Sequence, residues 1–218
     1  MSKDLIVSPS SFGFLYEECP ACYYNTVHGL RRRPQTPFPS IFTSIDRAMK
    51  THFAAAGMHA IAGERRRFRV LAQDGWVRSA PIPVRGHDLT LTIRGTFDSV
   101  LQFEDRRRAV CDWKTAPVKV ELLPKYSRQL HAYAYALEHP ALDEAKKIDE
   151  LGLGVFEPAA FASSSGAQAS LTGGMTWMAM ERDDVAFGRF LQAVGRLLAL
   201  PSAPAPAAGC AFCAYRAA

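Results

Sequence analysis

Two runs of β-forming residues, 89–103 and 109–115, are separated only by the polar stretch Glu104-Asp105-Arg106-Arg107-Arg108. That pattern predicts strand, turn, strand. A hairpin centred on Asp105 also sets its own register. Asp98 and Asp112 each lie seven residues from Asp105, so they face one another with Cβ atoms about 4.5–5.5 Å apart. Lys114 follows Asp112 at i+2 and shares its face, whereas Cys111 turns to the opposite, buried side. Carboxylates this close repel unless a cation sits between them, and a hard divalent ion such as Mg²⁺ takes oxygen ligands of this kind.

Five cysteines occur, and four of them form two pairs, Cys19-Pro20-Ala21-Cys22 and Cys210-Ala211-Phe212-Cys213. In a chain without a signal-peptide pattern these read as metal ligands or core residues and not as disulfides. Two such pairs supply four thiolates to one centre, either Zn²⁺ or an iron–sulfur cluster. Their wide separation means that a shared centre ties the two ends of the chain together.

With 218 residues, 48% hydrophobic and 22% charged, the chain matches a soluble globular protein of one domain. No apolar run approaches the roughly 20 residues that span a bilayer, so no membrane partner is expected, and the cytoplasm is the expected compartment. The net charge of +5 suits a polyanionic partner.

Helix signals start at Ser8-Pro9-Ser10-Ser11, with Phe12, Leu15 and Tyr16 on one face. A basic, proline-broken loop over 31–39 follows, and helical periodicity over 40–57 places Ile41, Ile45, Ala48, Met49 and His52 at helical spacings. Residues 68–73 and 76–84 read as two strands. Pro124 suits the first turn of a helix to Glu138, on which Gln129 and Tyr133 stack at i and i+4. Residues 148–156 read as a strand, 157–174 as a Ser/Gly/Ala-rich loop, and 175–180 as a returning strand. Asp183 or Asp184 caps a last long helix, and an Ala/Pro linker over 201–209 leads to the second cysteine pair.

In this order the residues resemble the PD-(D/E)XK nuclease superfamily and, within it, the RecB-type branch, above all the CRISPR-associated family-four (Cas-four) exonucleases. The marks are a helical His52, Gly95-Thr96-Phe97-Asp98, Asp112-Trp113-Lys114, Gln129-Leu130-His131-Ala132-Tyr133, and the flanking cysteines. The resemblance implies an α/β fold with a restriction-endonuclease-like core: a mixed central β-sheet flanked by helices, its N- and C-terminal segments joined by a four-cysteine metal centre. It implies one RecB-like domain over 1–218, with 40–199 as nuclease core and 1–39 plus 200–218 as the cysteine region.

The same resemblance implies that His52, Asp98, Asp112 and the Trp113 carbonyl hold a catalytic Mg²⁺ or Mn²⁺. Lys114 then orients the attacking water and stabilises charge on the phosphorane, and Gln129 and Tyr133 position that machinery. Cys19, Cys22, Cys210 and Cys213 hold an iron–sulfur cluster, 4Fe–4S in the family, with structural Zn²⁺ as the alternative. Relatives place one cysteine near the N-terminus and three near the C-terminus, so two plus two departs from the pattern.

The function implied is cleavage of single-stranded or frayed DNA ends by a metal-dependent exonuclease, with processing of spacer precursors beside an integrase as one context. A phage or recombination nuclease working beside a helicase uses the same residues. A non-catalytic DNA-binding assembly module is the competing class, against which the intact Lys114 speaks. A small-substrate zinc hydrolase fits poorly with the basic charge.

Overall fold

The computed structural model describes residues 3–34, 39–115, 117–163 and 168–217. Its elements run Lys3–Val7 (β1), Pro9–Gly13 (α1), Leu15–Glu18 (α2), Pro20–Val27 (α3), Ser40–Ala54 (α4), Phe68–Arg78 (β2), Ile82–Pro83 (β3), Leu89–Phe103 (β4) and Arg108–Lys114 (β5). After one 3₁₀ turn come Leu123–Glu138 (α5), Glu150–Ser163 (β6), Ala169–Met180 (β7), Asp184–Leu198 (α6) and Ala211–Ala217 (α7).

The 15-residue β4 is the spine of a seven-stranded sheet. Along one edge it pairs antiparallel with β3 at 90–91 and with β2 at 94–103. Along the other, β1 runs parallel to 89–93 and β5 runs antiparallel to 99–102. The sheet continues through a parallel β5–β6 pair and an antiparallel β6–β7 ribbon, so it is mixed, as the resemblance implies. The register Ser99↔Cys111, Val100↔Val110 and Leu101↔Ala109 is the one a turn centred on Asp105 requires, and Arg106 completes that turn at φ 68°. Among the described residues, the β1 and β5 ladders leave 94–98 uncovered on their shared edge. Asp98 lies in that opening.

Helices cover both faces. On one side Leu130, Ala134 and Leu137 of α5 and Phe187, Leu191 and Val194 of α6 pack with Val110, Leu151 and Leu153 of the sheet. On the other, Met49 and Phe53 of α4 pack with Leu101, Phe103, Cys111, Trp113 and Trp177. Cys111 is fully buried, which accords with its predicted side. Bare backbone is required beneath the two indoles: a Cβ on Gly152 would come 2.2 Å from Trp177, and one on Gly154 2.1 Å from Trp113.

Several expectations need correction. Residues 68–73 and 76–84 do not form two separate strands divided at 74–75. β2 runs unbroken to Arg78, accommodating Gly75 and Asp74 by a bulge between Val70 and Ala72 and by φ 47° at Asp74, and only β3 remains beyond it. The 157–174 loop is largely strand, because β6 extends to Ser163 and β7 begins at Ala169. That ribbon is exposed on both faces, so no apolar alternation marks it and backbone pairing alone carries it. Residues 164–167 lie outside the described residues, as do 35–38. The first helix is broken into α1 and α2, and Pro20 starts α3 afresh. β1 carried no strong sequence signal: it is five residues long and only Leu5 and Val7 are buried. By contrast, Asp183 caps α6 as expected, its Oδ1 accepting from the Ala186 N–H at 2.8 Å.

Candidate active site

The hairpin ladder opens where the two aspartates meet. The Trp113 N–H, which points toward β4, donates to Asp98 Oδ2 at 2.9 Å. Trp113 is locked from its other side: its ring stacks on Phe53 with centroids 4.7 Å apart and planes 3° apart, and its indole N–H donates to Ser99 Oγ at 2.8 Å. Asp98, inside β4, is therefore anchored on the rigid backbone near the end of β5.

Asp112 is only 6% exposed. Its Oδ1 accepts from Gln129 Nε2 at 3.3 Å, while Oδ2 pairs with the Lys114 ammonium and has no other partner among the described residues. Burial pushes the Asp112 carboxyl up to about 6; Lys114 opposes this and Asp98 adds to it. Burial works against the Lys114 charge, but Asp112 more than offsets it and the ammonium is held above its usual range. Lys114 Nζ also lies 4.6 Å from the centre of the Tyr126 ring, an attraction of about 0.5–2 kcal/mol.

Helix α5 covers this group. Gln129 and Tyr133 are both buried on it, and the Tyr133 phenol is pushed up to about 12 by burial and by the nearby Asp112 and Asp98 charges. Thus Asp98, Asp112, Lys114, Gln129 and Tyr133 converge from two strands and one helix, with the Trp113 backbone between the carboxylates.

His52 is not brought to them. It is exposed on α4, with its ring 5.0 Å from Phe53 and 5.5 Å from His59. Among the described residues, His52, Asp98 and Asp112 do not form a group of close ligand atoms. The residue of α4 that reaches the hairpin is Lys50, roughly 200° around the helix from His52. Its Nζ lies 2.9 Å from Asp98 Oδ1, 2.7 Å from Asp74 Oδ1 and 3.1 Å from Asp46 Oδ2. Burial disfavours this ammonium, but the three carboxylates outweigh burial and raise its pKa. Asp46, Lys50 and Asp74 are therefore the residues the sequence reading missed. The available signal was the pair Asp46 and Lys50 at i and i+4, flanking the buried Met49 and Phe53 on the sheet side of α4.

Asp46, Asp74 and Asp98 surround the Lys50 ammonium and Asp112 pairs with Lys114; among the described residues these carboxylates do not themselves form a group of close ligand atoms, but oxygen donors of this kind suit Mg²⁺ or Mn²⁺. Asp112 Oδ2, buried with only an ammonium beside it, is a group that a cation would satisfy.

The four paired cysteines gather at the C-terminal end of α2, where Cys19 is the capping residue. Cys19 and Cys22 come from the start of α3 and Cys210 and Cys213 from α7, and their sulfurs all lie within 4.8 Å of one another. Individual separations are 3.9 Å for Cys19 to Cys213, 3.8 Å for Cys22 to Cys210 and 3.4 Å for Cys22 to Cys213. The two ends of the chain are thus joined as expected.

Two arginines near the hairpin turn are held in ion pairs. Arg66 binds Glu64, Asp105 and Glu150, and Arg107 also pairs with Glu150.

A search of curated proteins returns no match. Among solved structures, one titled "Crystal structure of SSO0001" aligns over 87% of this chain and 74% of its own, at 12% identity and a TM-score of 0.49. The sequence profile of the PD-(D/E)XK nuclease superfamily matches residues 33–218, a span that contains the Asp98, Asp112 and Lys114 hairpin, the α5 pair and the α4 charges. That match covers most of the chain, and the chain belongs to the PD-(D/E)XK nuclease superfamily.

Proposed function

We propose that the chain is a Mg²⁺- or Mn²⁺-dependent DNA exonuclease of the RecB-type branch, resembling the Cas-four enzymes and acting on single-stranded or frayed ends. The observation that carries this reading is the convergence of Asp98, Asp112 and Lys114 at the open end of a hairpin, under Gln129 of α5. Residues 1–218 act as one domain in this reading, with 40–199 as the catalytic core.

Asp98 and Asp112 hold the divalent ion, with the Trp113 carbonyl beside them, and Asp46 is the α4 ligand in place of His52. The ion supplies a Lewis acid that makes bound water a better nucleophile and offsets charge on phosphate oxygens. Lys114 holds a positive charge where the phosphorane develops negative charge. Gln129 orients Asp112 by its amide N–H, and Tyr133, kept protonated by its high pKa, offers a hydroxyl donor to the lysine, water or backbone phosphate. Trp113, clamped by Phe53 and Ser99, prevents the carboxylates from drifting apart.

The net charge of +5 favours a polyanion, and no helix among the described residues is long and apolar enough to cross a membrane. Spacer processing beside an integrase is the biological context the Cas-four likeness favours; end resection beside a helicase is the alternative.

The test is cleavage of labelled single-stranded, duplex and flapped DNA by the purified full chain. Chelator-sensitive removal of terminal nucleotides, restored by Mg²⁺ or Mn²⁺ and lost in Asp112→Asn, is expected. Metal-independent cleavage, or none on any of the three DNAs, refutes the reading.

A further inference from the structure

We infer that Cys19, Cys22, Cys210 and Cys213 hold one tetrahedral zinc ion, in place of the four-iron cluster that the family resemblance implies. The sulfur separations carry this. Four thiolates on one Zn²⁺ at about 2.3 Å stand about 3.8 Å apart along the edges of the tetrahedron. The observed distances of 3.9, 3.8 and 3.4 Å scatter around that value, and the whole set falls within 4.8 Å. In a cubane each cysteine ends on its own iron, and bridging sulfides hold the irons apart. Its four thiolates must then splay outward from a cage, and this set converges on a point.

The ligand pattern agrees. Two Cys-x-x-Cys units, each at the start of a short helix, are the form of a structural zinc site closed on all four sides. Four thiolates on Zn²⁺ carry a net charge of −2, and the guanidinium of Arg33 lies against the site, donating from Nη2 to Cys210 Sγ at 3.5 Å while its Nη1 is anchored on Glu18 at 2.6 Å. Such outer partners orient ligands and balance their charge.

The role that follows is mechanical. Beside the cysteines, Tyr24 donates from its hydroxyl to the Leu200 carbonyl at 2.9 Å, and His28 Nε2 lies 3.0 Å from the Leu198 carbonyl. The ion completes a seam between α3 and the segment leaving α6. Zn²⁺ has no redox chemistry, so the centre transfers no electrons and its thiolates are only ligands.

The experiment is elemental analysis of the untagged full chain, produced in medium containing both iron and zinc and purified anaerobically. About one chelator-resistant zinc per chain, no acid-labile sulfide and a colourless solution are expected. Replacement by Co²⁺ should give intense thiolate-to-cobalt charge-transfer bands, which carboxylate-bound cobalt at the hairpin cannot produce. Cys22→Ser and Cys213→Ser should each weaken and shift those bands, and the Cys22→Ser/Cys213→Ser double variant should weaken them further, while cobalt stays bound at the carboxylates. Stoichiometric iron and sulfide with the brown absorption of an iron–sulfur chromophore overturns the inference, as does a chain whose cobalt derivative lacks thiolate bands. Neither result bears on whether the hairpin cleaves DNA.

Discussion

The Lys50 ammonium lies 2.9 Å from Asp98 Oδ1, so α4 meets the hairpin of Asp98 and Asp112 through a cation and two further carboxylates, while His52 stays outside. The proposed assignment of α4 can therefore be separated experimentally. Asp46→Ala should reduce Mg²⁺-dependent cleavage by about 10²-fold or more, consistent with loss of a metal ligand, and His52→Ala should leave it within a few-fold. Cleavage rates at saturating DNA, titrated with Mg²⁺, check this; the reverse ranking would restore His52.

Lys50 balances Asp46, Asp74 and Asp98, and it is only 12% exposed at the side chain. Lys50→Met leaves three carboxylates facing each other, so the variant should melt at a lower temperature than wild type in chelator. Added Mg²⁺ should recover more of the melting temperature in the variant than in wild type, because the ion takes over the charge balance. Calorimetry with and without Mg²⁺ decides; equal shifts in both proteins count against a shared cation site.

His131 on α5 is buried and neutral by its hydrogen bonds. Its Nε2 accepts from the Asp183 N–H at 2.9 Å, and its Nδ1 lies 2.7 Å from the Ser127 carbonyl, to which it donates. Burial holds its pKa below the usual 6.5. The unfolded chain takes up a proton near pH 6.5 that the folded chain resists, so stability falls as pH drops below about 6.5, by at most about 1.4 kcal/mol per unit from this group. Denaturant midpoints between pH 7 and 5 should show that slope, flattened in His131→Gln.

Gly154 lies beneath the Trp113 ring, with a hypothetical Cβ 2.1 Å from Trp113 Cζ3. Gly154→Ala should cost about 1–3 kcal/mol by overpacking and shift the stacked Trp113 off Phe53. A lowered melting temperature together with a changed tryptophan emission is expected. Cleavage should fall as well, since Trp113 N–H holds Asp98.

Asp112→Asn removes the carboxylate that burial raises to about 6. Activity should drop by about 10³-fold through loss of the proposed metal ligand, while near-UV circular dichroism remains native. A variant that retains metal-dependent cleavage would exclude Asp112 from the site.

Local rules read well where one interaction dominates. The hairpin register followed from the position of its turn, since antiparallel pairing about Asp105 leaves one alignment. The Asp183 cap and the Pro124 start of α5 followed from backbone hydrogen-bond needs. The β6–β7 ribbon was illegible past Phe156, because a strand pair exposed on both faces has no hydrophobic period to betray it. β1 was illegible because five residues carry little pattern.

By itself the sequence determined that Asp98, Asp112 and Lys114 share one hairpin face, that Gln129 and Tyr133 share one helix face, and that four cysteines stand in two pairs. These are consequences of the two-residue and 3.6-residue periods of the backbone. Only the tertiary structure decided which flank of α4 meets that hairpin. The helix is rotated by the packing of Met49 and Phe53 against Trp113, Phe68 and Leu101, and that rotation brings Asp46 and Lys50 to the carboxylates and turns His52 away. The spacing of sulfurs across the clasp was likewise set by packing between distant segments, which no local period encodes.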